Sequence, residues 1–393
     1  MRLLMACMRF PTEPGHSYLT TELALALVAA GHEVEVLLID WDAAPSPADG
    51  PYEVWNGVRV VRCTPRQIDG LGSVVRNASK FILTGRHARR LVRAHFDLGG
   101  FDAFIAWTPA LAFGSCVGMA RRAGVPRRLL FIWDFFPDHQ REIGLIPGGA
   151  PFWLARAFEQ RLMDDFNVFL CTLPQNAAYL RRRFRVRPDQ AVRVAPIWSD
   201  AAPIPAADLP SVRRRHALPA DRPIAVFGGQ LVEGRGFEQM LAAAAVGRAR
   251  GSQLVFLFVG EGRLAPLIQA QACDNVLWRP AMPREDYLQL LTACEVGMVA
   301  TVPGVTSFTI PSKTLDYLRA GLPVVAAVEA GSEFSAILER YGVGRAVPFE
   351  DAPGFFDACE ALAQGPSVAA AAQHCLNAVF HVRHTVASVV GEV

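Results

Sequence analysis

Long apolar runs are missing from this 393-residue chain. None reaches the ~18 residues that span a bilayer, so no transmembrane helix is expected. The opening Met1-Arg2-Leu3-Leu4-Met5-Ala6-Cys7 is too short, and wrongly followed, for a signal peptide. It reads as a first buried strand. Charged residues make up only 19% and hydrophobic residues 51%, a balance that large buried cores explain. The net charge of +2 argues against a nucleic-acid partner. The eight cysteines stand singly with no CxxC pair. Neither a zinc site nor a redox motif is expected, and the thiols read as buried groups in a reducing cytoplasm. No HExxH, Walker A or GxSxG pattern occurs, the histidines are scattered, and no metal is assigned. Lysine is the scarcest charge: Lys80 and Lys313 are the only two among 39 basic residues.

What is present points to two domains. Arg2–Met8 reads as a strand, followed by a Pro- and Gly-rich loop over 9–16, a helix over 17–30 ended by Gly31, and a strand over 33–39. This βαβ opening predicts a parallel sheet. Further strands are expected at 58–61, 104–107, 129–133 and 168–172, and one long or broken helix with an arginine face over 73–96. Six prolines between Pro196 and Pro223 mark a linker. A second βαβ series starts at Ile224, with strands expected at 254–259, 275–279, 296–300 and 323–328. The predicted organisation is therefore a first domain over 1–197, a linker over 198–222, a second domain over 223–375, and a C-terminal helix over 376–393 returning to the first domain.

The densest chemistry lies at Pro311-Ser312-Lys313-Thr314-Leu315-Asp316. Pro311 and Ser312 suit a helix entry, with Ser312 as N-cap. The N–H groups of residues 313–315 would then form an anion site. Lys313 adds a compact ammonium where a planar guanidinium would not fit. Asp316, one turn on, can accept hydrogen bonds from sugar hydroxyls. Phosphate site, cation and diol acceptor together suit a nucleotide diphosphate sugar. A solvated lysine at a helix start is the plainer alternative.

This segment resembles the nucleotide-sugar site of family-4 glycosyltransferases, in the bacterial polysaccharide and lipopolysaccharide branch that writes it as Pro-Ser-Lys-x-x-Glu/Asp. The resemblance extends over nearly the whole chain. It implies an α/β chain of GT-B fold: two Rossmann-like doubly wound domains facing each other across a cleft. It also implies a retaining, metal-independent transferase that moves a hexosyl or N-acetylhexosaminyl group from a nucleotide diphosphate sugar, expected to be UDP-linked, to an acceptor hydroxyl. The expected acceptor is a polyprenyl-linked saccharide in O-antigen or capsule assembly, reached from the cytoplasm at the inner face of the plasma membrane. No Asp-x-Asp sits at a strand end, as the metal-dependent enzymes of the other main glycosyltransferase fold require.

Other loops fit the same reading. Gly15 lies in the loop after the first strand, where open α/β sheets bind ligands. Here Gly15-His16 replaces the family's Gly-Gly. Gly228-Gly229-Gln230, with Arg235 five residues on, is the matching loop of the second domain. Arg235 keeps the family's second cation for the diphosphate, whereas Gln230 loses the first. Val259-Gly260-Glu261-Gly262 resembles the family's Val-Gly-x-Gly turn at the donor, and 278–283 resembles the nucleobase segment. The family's first of two glutamates, eight residues before Asp316, is replaced by Phe308. Asp134-Phe135-Phe136-Pro137-Asp138 resembles the branch's Asp-x-x-Pro-Glu. Asp134 is expected to orient or deprotonate an acceptor hydroxyl; the alternative is a helix cap, for which Asp138 is better placed.

The predicted donor site is thus Gly15, Gly229, Gln230, Arg235, Gly260, Ser312, Lys313, Thr314, Leu315 and Asp316, with Asp134, Arg235 and Lys313 as the catalytic set. Gln230 and Phe308 leave a second reading, a catalytically silent nucleotide-sugar-binding subunit. A GT-B-fold epimerase would need acid/base groups beside the donor sugar, which the second-domain loops do not clearly offer. An NAD-dependent oxidoreductase is disfavoured because neither Gly-rich loop has GxGxxG spacing. Residues 1–200 carry 24 basic against 19 acidic groups, and 201–393 carry 15 against 18. The positive excess gathers at Arg86, Arg89, Arg90 and Arg93, at 121–128 and at 181–187, and predicts that the first domain meets an anionic membrane surface.

Overall fold

The computed structural model describes residues 1–13, 17–41, 43, 52–68, 73–205, 207–305, 310–329 and 331–391. The chain divides into two compact units. The first runs from Met1 to Ile197 and takes back the C-terminal helix Val382–Val390. Its elements are β1 (Arg2–Cys7), α1 (Leu19–Ala29), β2 (Glu33–Ile39), β3 (Glu53–Trp55), β4 (Val58–Cys63), α2 (Ser73–His95), β5 (Ala103–Trp107), α3 (Gly114–Arg122), β6 (Arg127–Ile132), α4 (Asp138–Glu142), α5 (Ala150–Met163), β7 (Val168–Cys171), α6 (Pro174–Arg183) and β8 (Ala191–Val194).

These strands form one sheet in the order β3-β4-β2-β1-β5-β6-β7-β8. Every pairing is parallel except β3 with β4. The apolar runs form parallel strands because helices cover both faces. From β1 the chain walks one way to β2, and from β5 it walks the other way to β8. The order therefore reverses between β1 and β5, where such sheets bind ligands. The inner faces of α2, α3, α5 and α6 join one core, through Ala88, Val92, Cys116, Val117, Met163 and Leu180. Helix Val382–Val390 packs on α1, and Thr385 Oγ1 donates to the Pro196 carbonyl.

The second unit holds α7 (Leu209–Arg215), β9 (Ile224–Gly228), α8 (Phe237–Ala249), β10 (Val255–Val259), α9 (Ala265–Ala270), β11 (Val276–Arg279), α10 (Arg284–Thr292), β12 (Val296–Ala300), α11 (Lys313–Arg319), β13 (Val324–Ala327), α12 (Glu333–Arg340), β14 (Gly344–Val347), α13 (Ala352–Ala363) and α14 (Ala369–Cys375). Its sheet is fully parallel, in the order β11-β10-β9-β12-β13-β14, with the reversal between β9 and β12.

Residues 198–222, read as a linker, are part of this unit. Arg213 explains why: its guanidinium binds the carbonyls of Pro219, Arg222 and Ala293 and the carboxylate of Glu295. That set fastens α7 to the base of β9 and β12. The βαβ series predicted the parallel sheets, which are interrupted only at β3 among the described strands, and the family resemblance implied their doubly wound order.

Candidate functional site

Each unit carries one candidate site: the second at its strand reversal, the first on the loops after β5 and β6. In the second unit, β9 ends in Gly228-Gly229. The Tyr317 hydroxyl accepts from the Gly228 N–H at 3.0 Å, fixing the loop from beneath. The Gly229 N–H donates to the Val259 carbonyl and the Gly260 N–H to the Arg279 carbonyl, both at 3.0 Å. The turns after β9, β10 and β11 are thereby stitched together. Gly260 has φ +145°, and a Cβ there would stand 1.9 Å from the Gly229 carbonyl oxygen. A side chain is excluded at that close approach.

Lys313 enters this space from the loop after β12, on the other side of the reversal. Its ammonium lies 3.2 Å from the centroid of the Phe227 ring, a cation–π contact. It also borders Gly229, at 3.6 Å from where a Cβ would be. Burial, together with the Arg235 guanidinium, holds Lys313 well below the ordinary lysine range. Its surroundings also lower Arg235, although the residue is exposed. No hydrogen bond or ion pair ties either residue to a carboxylate among the described residues. The Arg235 charge therefore bears on Lys313, and like charges held this close are relieved when an anion binds between them.

The neighbouring residues are arranged differently from the sequence expectation. Ser312 precedes α11 but is exposed and makes no side-chain cap bond. The Thr314 N–H donates to the Pro311 carbonyl and the Leu315 N–H to the Ser312 carbonyl, each at 3.0 Å. Both side chains are buried. The first turn therefore closes on itself, and two of the three N–H groups expected to face an anion are committed elsewhere. Gly229 and Gln230 are exposed at the loop. Gly15, His16 and Phe308 lie outside the described residues.

Asp316 differs most. Both its oxygens accept from Arg284, at 2.7 and 2.8 Å, in a fork-to-fork pair. The carboxylate is 12% exposed and the guanidinium 25%. Asp316 thus anchors α11 to the start of α10, and only its remaining lone pairs could meet a ribose. Removing one member strands the other charge at a cost of about 3 kcal/mol. Asp316→Ala is accordingly expected to lose stability, and Asp316→Ala/Arg284→Met to regain most of it in denaturant melts. A raised donor KM that persists in the double variant assigns a ribose contact to Asp316; a KM restored together with stability leaves it structural.

In the first unit the loops after β5 and β6 meet at Thr108. Its Oγ1 accepts from the Trp133 and Asp134 N–H groups at 3.0 and 3.1 Å. This places Asp134 beyond the carboxyl end of β6. Its Oδ2 accepts weakly from Gln140 Nε2 at 3.5 Å. Its Oδ1 and Gln140 Oε1 are buried without a hydrogen-bond partner among the described residues. Burial raises the Asp134 pKa, while the charge of His139 and the Gln140 side chain pull it back.

Behind Asp134 lies a second carboxyl that sequence reading missed. Glu159 of α5 is 1% exposed and accepts from the N–H groups of Ala110 and Leu111 at 2.6 and 2.9 Å. Burial pushes it up to about 8, and the Asp134 charge adds to that shift. Burial thus shifts both neighbouring carboxyls upward, the kind of perturbation that gathers at functional sites.

Asp138 is no cap. Arg156 and Arg183 bind its carboxylate at 2.6 and 2.7 Å, joining α4 to α5 and α6. Among the described residues no group of three or more His, Cys, Asp or Glu is placed to hold a metal ion.

Comparison with known proteins accounts for both units. Residues 15–198 match the model described as "Glycosyl transferase 4-like domain", and residues 222–365 match "Glycosyl transferases group 1". The chain is 24% identical over 362 residues to the Escherichia coli protein named "Putative colanic acid biosynthesis glycosyl transferase WcaI", covering 87% of this chain and 86% of that one. Among solved structures, sucrose-phosphate synthase from Thermosynechococcus elongatus superposes with a TM-score of 0.74 at 19% identity, covering 100% and 98% of the two chains. An E. coli structure described as trehalose-6-phosphate bound with UDP-2-fluoro glucose gives 0.70 at 11% identity, covering 100% and 98%. These matches span both Rossmann-like units, and the chain belongs to the family-4 glycosyltransferases of GT-B fold: it is a glycosyltransferase.

Proposed function

We propose that the chain transfers a sugar, with retention of anomeric configuration, from a UDP-sugar to a hydroxyl of a lipid-linked saccharide in cell-surface polysaccharide assembly. The observation that carries this reading is the pairing of Lys313 and Arg235, two cations with no carboxylate partner among the described residues. A diphosphate leaving group acquires negative charge as the glycosidic bond breaks. Cations held beside it before the reaction stabilise that charge without reorganisation. They supply the charge that a divalent ion supplies elsewhere, so the reaction runs without metal. The leaving phosphate can take the acceptor's proton on the face from which it departs, and no protein nucleophile is required.

Asp134 orients the acceptor hydroxyl. Its partnerless Oδ1 is the atom that would accept that hydroxyl's hydrogen bond. The polysaccharide role is supported by the colanic acid name of the E. coli relative. The UDP assignment is supported by the UDP-2-fluoro glucose of the structural neighbour.

The test is incubation with UDP-, GDP- and TDP-sugars and polyprenyl-diphosphate-linked acceptors, following nucleotide release and product by NMR. UDP release with an anomer matching the donor, unaffected by EDTA, is expected. An inverted product overturns retention, and dependence on divalent ions overturns the metal-free route. Tight UDP-sugar binding without turnover on any acceptor favours the silent partner subunit.

A further inference from the structure

Helix α5 turns its wrong face to water. Its exposed positions are Ala150, Pro151, Trp153, Leu154, Ala157, Phe158 and Arg161, spaced as one stripe of a 3.6-residue helix. Trp153 is 59% exposed, Leu154 71% and Phe158 52%. The inner face is spent on Phe152, Glu159 and Met163, so the stripe is not a misplaced core face. Scattered apolar side chains need no explanation, but three large ones on two adjacent turns do.

The surroundings of the stripe are basic. Arg161 continues it at the C-terminal end and opens into a recess of about 390 Å³, shared with Arg121, Arg128, Arg187, Asp164 and Asp189. Asp165 neutralises Arg121 at 2.6 Å, and Asp189 neutralises Arg187 at 2.9 Å. Arg161 holds no carboxylate among the described residues. Helix α3 packs against α5, and α2 packs against α3. All three bury their inner faces in the same core, so their outer faces form one layer. On that layer α2 exposes Arg86, Arg90 and Arg93, together with Ile82.

We propose that this helical layer docks on an anionic lipid bilayer, with the Trp153-Leu154-Phe158 stripe of α5 seated at the acyl boundary and the arginines of α2 and α5 on the headgroups. A tryptophan on an apolar stripe flanked by arginines is the composition of a helix lying in the interface plane. The charge decides against a second copy of the chain: a two-fold contact on this stripe would bring one arginine-rich layer against another. The arginines of α2, which hold no carboxylate among the described residues, supply the electrostatic part, and the structure adds the apolar part on a helix that charge counting did not indicate. The inference draws on the lipid-linked-acceptor reading for its purpose alone; docking needs neither donor nor acceptor.

The full chain is tested by co-sedimentation with phosphatidylglycerol-containing vesicles and with phosphatidylcholine vesicles, without sugar substrates. Trp153→Ser/Leu154→Ser/Phe158→Ser is expected to lower partitioning roughly 100-fold, while its melting curve and UDP affinity stay those of the parent. Arg86→Gln/Arg90→Gln/Arg93→Gln is expected to lose about fivefold per arginine at low salt and to flatten the salt dependence. Brominated lipid should quench parent fluorescence more than that of Trp153→Phe. Parent-like binding by the serine variant overturns the proposal. So does a parent dimer that the serine variant dissolves while vesicle binding is unchanged. Docking without sugar transfer would count against the proposed function and leave this surface standing.

Discussion

Lys313→Ala is expected to lower turnover by about 10²–10³-fold, the usual cost of removing one preorganised charge from a developing anion. The side chain lies against the Phe227 ring and Gly229. Arg235→Ala should act in the same direction. If both cations grip one diphosphate, the double variant should lose less than the product of the single losses. Single-turnover rates with saturating UDP-sugar measure this directly, and near-parent rates in both single variants would remove the site from the second unit.

A proton signature accompanies this prediction. Burial and Arg235 favour the neutral amine in the free protein, whereas a bound diphosphate favours the ammonium. UDP binding should therefore take up protons, seen as a buffer-dependent binding enthalpy. Affinity should fall as pH rises through the depressed Lys313 pKa, and Lys313→Met should abolish the uptake.

Asp134→Asn is expected to spare UDP affinity and to depress transfer by about 10²-fold, the cost of losing the charged group that orients the acceptor hydroxyl. The cations proposed for the donor belong to the second unit and Asp134 to the first, so the two effects should separate. Burial raises the Asp134 pKa, which places the acid limb of the kcat profile above the ordinary carboxylate range. Activity should fall as pH drops through that raised value and Asp134 gains its proton. The limb should be missing from the residual activity of the asparagine variant. A loss of UDP affinity, or a lowered melting temperature without a change in pH profile, would return Asp134 to a structural role.

The sequence was most legible where physics is local. Uninterrupted apolar runs such as Ile224–Gly228 and Val255–Val259 can only be strands buried on both faces, and they are. The short strands β3, β8 and β14 escaped notice because their burial is partial and polar residues interrupt them, as Arg345 does in β14. The site was legible as loops and less so as contacts. Lys313 stood out by rarity and neighbourhood. The partner of Asp316 sits 32 positions earlier, at a distance along the chain that no motif encodes. Glu159 reads in sequence as an ordinary helix glutamate beside Phe158 and Gln160. Its meaning comes from two N–H groups 48 and 49 residues upstream. The expected anion nest at 313–315 failed for a similar reason: composition indicates a helix start but not whether its first turn closes on itself.

The return of Val382–Val390 to the first unit makes the second unit an insertion within the first. The chain leaves the first unit after Ile197 and re-enters it at Val382. Beside those two points the Ser199 N–H donates to the Phe380 carbonyl at 2.8 Å, and Ser199 forms a bridge with His381. Outgoing and returning segments are thus neighbours, and a short tether could replace everything between them. A fragment ending at Ile197 would leave the α1 surface that packs on Val382–Val390 bare. Splicing residues 382–393 onto that fragment would reclose it, so the smallest autonomous form of the first unit is discontinuous in sequence.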